Sequence, residues 1–315
     1  MPSTATARDY VLADLPLRGA GGEPVLLART LNSHGVASLP PSKIDEQTWT
    51  LEVTLPVPRG ARTVRVSPGR KNHARVELAA GSSSHRVRDA LLAQLRHMFR
   101  LDEDLSSFYA LAADDAELAW AALGAGRMLR SPTVFEDVVK TICTTNTTWG
   151  GTLRMVTGLV EHLGVPAAVT KQRTFPTPAA MASADDAFYK DVARAGYRGA
   201  YLRELADDVA SGTIDLEQLT DPTLSDEDVE TRLLALPGVG PYAAAHVMLT
   251  SLGRYSRLVL DSWTRPTYAK LVGRKQVADK TIARRFKPYG PYAGLAFWLL
   301  LTRRWVDEDA ATPLP

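Results

Sequence analysis

The sequence predicts an α+β protein in which an N-terminal antiparallel β-sheet domain precedes a mainly helical body. Three observations carry that expectation. Before residue 80, apolar and polar residues alternate with a period of two, as half-buried strands require. From Arg86 onward apolar residues recur at three- or four-residue steps, the helical period. The interruptions in that second part are short and marked by Gly or Pro.

In the first part, TWTLEVTLPV sets Trp49, Leu51, Val53 and Leu55 on one face of a strand. RTVRVSPGRKNHARVELA reads as two more, bearing Val64 and Val66 and then Val76 and Leu78, joined by a loop with Pro68 and Gly69. GSSS at 81–84 ends the sheet, and Val87, Leu91, Leu95 and Met98 then mark a helix. Further helices are expected near 114–123, 133–143, 150–163, 185–195, 199–211, 226–235, 241–252, 262–271, 276–285 and 291–304. The expected division is a β-rich domain over 1–112, a helical body over 113–305 and a frayed tail over 306–315.

A chain of 315 residues with 45% hydrophobic and 23% charged residues is an ordinary globular composition with material for a sizeable core. No apolar run approaches the ~18 residues that span a bilayer, and MPSTATARDY lacks the apolar stretch of a signal peptide. No membrane contact is expected, and a cytoplasmic location (nucleoid-associated in a bacterium) is. Cys143 is the single cysteine, so neither a disulfide framework nor a cysteine-ligated cluster is available. The histidines show no paired metal-ligand spacing, and no metal or cofactor is expected. Charge is uneven: residues 231–305 hold thirteen Lys/Arg against Asp261 and Asp279 alone, +11 net, while the remainder is −9. A basic block of this kind suits either a polyanionic partner or a solvated face.

Within that block lies LPGVGPYAAAH, 236–246. Gly238-Val-Gly240-Pro-Tyr-Ala243, followed by Asp261, superficially fits a dinucleotide-binding fingerprint. That fingerprint needs a buried strand in front of it, whereas Val229, Leu233 and Leu236 fall at helical spacing. A helix, a tight turn and a second helix fit better, with Pro241 at the first helical position, where its missing N–H is not needed. Such a turn either exposes amides as a seat for phosphate or simply joins two helices.

LPGVGPYAAAHVMLTSLGRYSRLVLDSW resembles the helix-hairpin-helix and catalytic aspartate of the helix-hairpin-helix DNA glycosylases. SPTVFEDVVKTICTTNTTW, AGYRGAYLRELADDVASG and YGPYAGLAFWLLLTRRW resemble the 8-oxoguanine and 3-methyladenine glycosylase II branch, and together the likeness covers most of 25–305. It implies a two-lobed helical body with the helix-hairpin-helix at 228–252. It also implies a monomeric base-excision enzyme acting on double-stranded DNA that contains a damaged base. Asp261 takes the place of the catalytic aspartate and Asn146 that of the asparagine that fills the gap left by an extruded nucleotide. The hairpin amides of Leu236, Gly238 and Gly240, with Arg265, would hold DNA phosphates. Asp261 is equally a residue type that caps the helix starting in SWTRPTYAK.

Departures from the family pattern narrow the reading. Where bifunctional members carry a lysine, this chain has Tyr242, and no other lysine lies between 231 and 269, so no Schiff base and no strand cleavage are expected. Phe297 stands where 8-oxoguanine enzymes place a base-reading glutamine, followed by Trp298; His246 replaces a cysteine and Leu301 a phenylalanine. A pocket of Tyr242, His246, Trp149, Phe297 and Trp298 suits a cationic alkylated purine through stacking and cation–π attraction. The loop that carries His34 is expected near the lesion. The reading is thus a monofunctional glycosylase favouring alkylated bases. The alternatives are an 8-oxoguanine-type enzyme and a non-catalytic helix-hairpin-helix DNA-binding protein.

Overall fold

A computed structural model describes residues 10–79 and 81–306. The 307–315 part of the expected tail, and the extreme N-terminus, lie outside the described residues. Five antiparallel strands, β1 (Tyr10–Pro16), β2 (Ser42–Asp45), β3 (Thr50–Val57), β4 (Gly60–Pro68) and β5 (His73–Leu78), form one sheet in the order β1-β5-β4-β3-β2. β3, β4 and β5 are the three strands the alternation predicts. Leu51 pairs with Val66 and Val64 with Leu78, so the apolar positions line up on one face. Trp49 departs from the expectation: it stands in the turn before β3 with φ +50 and is not part of the strand. β1 and β2 had no separate signal, and a short helix, α1 (Leu27–Leu31), lies between them.

The sheet's apolar face is closed by α2 (His85–Met98) through Leu91, Leu95 and Met98. The next helix, α3 (Ser106–Ala113), precedes the span where one was expected. Only a 3₁₀ turn, Ala119–Leu123, occupies the expected 114–123. α3 packs Phe108, Tyr109 and Ala112 into the C-terminal helical core, not onto the sheet, whose own core beyond Leu101 takes only Leu129.

The body comprises α4 (Val134–Thr144), α5 (Trp149–Leu163), α6 (Pro178–Ala182), α7 (Arg198–Ser211), α8 (Asp226–Leu234), α9 (Pro241–Val247), α10 (Thr264–Leu271), α11 (Asp279–Phe286) and α12 (Ala293–Thr302). The expected helix at 185–195 is a single π turn, Phe188–Val192. The expected 241–252 changes to π geometry at Met248–Leu252. The cause is local: Thr250 Oγ1 turns back onto the His246 carbonyl at 2.8 Å, and the buried Arg100 draws off the Thr250 carbonyl at 2.6 Å.

Two helical cores result. One gathers α4, α5, α7, α8 and α9; the other gathers α3, α10, α11 and α12. α9 serves both, giving Ala243, Ala244 and Val247 to the first and Ala245 to the second, and Tyr242 packs against each. The loop after α1 joins all three cores. Trp298 Nε1 donates to the Ser33 carbonyl (2.7 Å), Ser33 Oγ accepts from Leu129 N (3.0 Å), and His34 Nε2 bonds the Leu129 carbonyl (2.7 Å). Beside it, Asn32 donates to the Trp305 carbonyl (3.1 Å) and Arg29 to the Arg303 carbonyl (2.6 Å). The N-terminal domain is thereby tied to the last helix.

Candidate active site and nucleic-acid interface

The turn between α8 and α9 is built as its sequence suggests. Gly238 has φ +74, and a Cβ there would lie 2.8 Å from the Tyr201 ring, so both backbone and space demand glycine. Gly240 has nothing within 4 Å of where a Cβ would stand, which leaves its face open to an incoming group. The amides of Gly238 and Gly240 donate to no group among the described residues, and Pro241 opens α9. The expectation for Leu236 does not hold: its amide already donates to the Leu233 carbonyl at 3.1 Å, closing the last turn of α8. Arg265 is likewise engaged, its guanidinium paired in a fork with Asp279 at 2.8 and 2.9 Å. Other members of the basic block are also neutralised. Arg254 pairs with Asp226, Arg257 with Glu227 and Glu230, and Arg285 with Asp115 and Glu117. Lys270, Lys275 and Lys280 make no ion pair among the described residues.

Asp261 ends the extended run before α10 and is partly exposed. Its Oδ1 accepts from the amides of Trp263 (2.8 Å) and Thr264 (2.6 Å), while its own amide donates to Thr264 Oγ1 (2.8 Å). The capping role and an available carboxylate therefore coexist, because Oδ2 takes no hydrogen bond from any described group. Asp261's negative charge is felt by Tyr242 and His246. Burial, chiefly, raises the Tyr242 phenol above its ordinary range, against the opposing hydrogen bond with Thr144 Oγ1 at 3.2 Å.

Aromatic rings line this side of the molecule. The rings of Tyr242 and His246 lie 5.8 Å apart, those of His246 and Trp298 6.3 Å, and His34 meets His246 edge to face at 5.8 Å. Trp298 contacts Trp263 (5.8 Å) and Trp305 (6.1 Å), and those two contact each other at 5.5 Å. Trp149, half exposed at the start of α5, lies over Gly35. A cleft of about 310 Å³ runs between Trp149, Trp305, His34 and Leu31. Trp263 and Trp305 were not read from the sequence as site residues. Phe297, which was, is fully buried against Tyr268 and Phe286 in the second helical core and faces no cleft. Trp298, its neighbour, turns the other way. His246 is itself buried; burial first and His34 second push its pKa down to about 3, and burial takes His34 down to about 4.

Asn146, between α4 and α5, is exposed in the left-handed region, φ +44, which asparagine tolerates better than most residues. Its amide nitrogen donates to the Tyr197 hydroxyl at 3.3 Å, and that bond lowers the Tyr197 pKa. Thr145 beneath it is held by the buried Arg198, which bonds the Thr145 carbonyl and lies 4.6 Å from the Tyr197 ring. Among the described residues no three His, Cys, Asp or Glu side chains gather as a metal site would need, and no helix is long and apolar enough to cross a membrane.

No family model matches the sequence. Among curated proteins, it is 26% identical over 129 residues to a Bacillus subtilis (strain 168) protein carrying the name DNA-3-methyladenine glycosylase YfjP. That stretch is 39% of this chain and spans 44% of that protein. Among solved structures it resembles the 3-methyladenine DNA glycosylase from Archaeoglobus fulgidus, with TM-score 0.69 and 19% identity over 94% of this chain and 99% of that one. It also resembles the Clostridium acetobutylicum 8-oxoguanine glycosylase/lyase in complex with double-stranded DNA containing cytosine opposite 8-oxoguanine. There the TM-score is 0.64 and the identity 20%, over 83% of this chain and 87% of that one.

Proposed function

We propose that this chain, whose fold is that of the helix-hairpin-helix DNA glycosylases, removes a damaged purine from double-stranded DNA by hydrolysis, with an alkylated base as its preferred substrate. One observation carries the reading. A carboxylate held by two amides, with one oxygen left over, stands beside a cluster of indoles and one helix beyond a turn with two unpartnered amides.

Each part answers a need of the reaction. A base inside a duplex must leave the stack before its glycosidic bond can be reached, at a cost of a few kcal/mol. Asn146 would enter the vacated space, while the turn amides of Gly238 and Gly240 hold the backbone. The departing base would lie among Trp149, Trp263, Trp298 and Trp305, whose electron-rich faces favour a positively charged purine. Breaking the bond builds positive charge on the sugar, which Asp261 stabilises, and Oδ2 accepts a proton from the attacking water. Oδ1 keeps the side chain fixed throughout. Tyr242 offers a phenol where a Schiff base would need an amine, so the abasic strand stays intact. Phe297, at the place of the base-reading glutamine, is an apolar ring buried in the core, which disfavours the 8-oxoguanine reading.

The test is single-turnover base release from duplexes that each carry an alkylated purine, 8-oxoguanine or uracil, with and without alkali. Alkali-dependent release from the alkylated duplex is expected, and Asp261→Asn lowers its rate by roughly 10²–10³-fold. Tight binding without release from any duplex would favour the non-catalytic alternative, and breaks without alkali would refute the monofunctional reading.

A further inference from the structure

Tyr201 on α7 belongs to neither the turn nor the Asn146 loop, yet it touches the surroundings of both. Its ring lies against Gly238 so closely that a Cβ there would come within 2.8 Å of Cδ2 and 3.1 Å of Cβ and Cγ. Its other neighbour is Tyr197, one helical turn earlier, met edge to face at 6.1 Å. Tyr197 in turn accepts the hydrogen bond from Asn146. Glycine, two tyrosines and asparagine therefore form one line of contacts from the phosphate-facing turn to the loop tip. Tyr201 is 38% exposed and Tyr197 56% exposed, so this line runs along the surface and is not core packing.

We infer that Tyr201 is a positioning residue that makes the turn and the Asn146 tip move as one unit, so that gripping a backbone phosphate sets the depth at which Asn146 enters the duplex. The inference rests on the glycosylase reading above. The geometry explains why the ring must be aromatic. A flat ring fits beneath a glycine whose Cβ position is already occupied, and its edge still reaches Tyr197. An aliphatic side chain supports one contact and loses the other. The Tyr201 hydroxyl makes no hydrogen bond with any described group, so phenylalanine should serve as well.

The experiment uses duplexes with an alkylated purine opposite 2-aminopurine, whose fluorescence rises when its stacking is broken. Duplex affinity, fluorescence change at saturating protein and single-turnover release are measured for wild type, Tyr201→Phe, Tyr201→Leu and Asn146→Ala. Tyr201→Phe should match wild type in all three. Tyr201→Leu should lose most of the fluorescence rise even at saturation and slow release by about 10–100-fold, as a misplaced group does. Asn146→Ala should lose the same fluorescence. Full fluorescence and release from Tyr201→Leu would overturn the inference, and so would a loss in Tyr201→Phe equal to that in Tyr201→Leu. Should Tyr201→Leu unfold, Tyr201→Met replaces it with the same criteria. Failure of the wild type to release the alkylated purine would instead sink the proposed substrate preference. Release by the wild type with no fluorescence rise would sink the positioning role alone.

Discussion

His34 and His246 meet beneath the aromatic cleft, and burial pushes their pKa values down to about 4 and about 3 from an ordinary 6.5. Both are neutral in the folded protein near neutral pH. In the unfolded chain each binds a proton as pH falls through 6.5, while the folded chain does not. Stability is therefore unaffected by them above that value and is lost below it, at up to ~1.4 kcal/mol per histidine per pH unit. Denaturant unfolding measured between pH 7 and 5 should show this decline. A stability that is flat over that range would contradict neutral burial. His97, lowered to about 4 by burial and by Arg130, adds to the same slope.

At the scale of elements, the turn between α8 and α9 separates two kinds of glycine. Gly238→Ala puts a side chain at φ +74 and against Tyr201, and should cost at least ~1–2 kcal/mol. Gly240→Ala meets open space at φ −102 and should leave the melting temperature almost unchanged while weakening duplex binding. Equal losses of stability in the two variants would contradict this division. The turn was legible in the sequence because Gly, Val, Gly and Pro specify their own backbone, and the capping by Asp261 because aspartate is a residue type that accepts from the first amides of a helix. Phe297 was misplaced for the opposite reason. Every residue of α12 is buried, so the helix has no polar face from which to fix its rotation, and Phe297 and Trp298 are equivalent on paper. Leu236 was misread because the hydrogen bond that consumes its amide belongs to the end of the preceding helix. Trp263 and Trp305 went unread because an indole near apolar residues is as common in a core as in a pocket. The pairing of Arg265 with Asp279 went unread because the two residues lie on different helices.

For the molecule as a whole, cohesion depends on buried arginines. Arg100 is fully buried and donates to the Met128 carbonyl (2.9 Å), the Thr250 carbonyl (2.6 Å) and Glu103. It thus joins the end of α2 to the strand-like segment before α4 and to the π turn after α9. Arg127, equally buried, pairs with Glu23. Arg100→Met would strand those carbonyls and Glu103, and a loss of about 3–5 kcal/mol is expected. Chemical denaturation followed by tryptophan fluorescence and by circular dichroism should give coincident transitions for both proteins, with the variant's midpoint lowered. A variant as stable as wild type would show that these bonds are individually dispensable. The same connectedness has a consequence for synthesis on the ribosome. The bonds from Arg29, Asn32 and Ser33 to Arg303, Trp305 and Trp298 span 274, 273 and 265 residues of chain. At ~5–20 residues per second the early loop waits roughly 15–50 s for its partners to be made. The aromatic cleft is thus among the last features to close, and a nascent chain that ends before α12 carries the Asp261 carboxylate but neither Trp298, the ring partner of Trp263, nor Trp305, which walls the cleft.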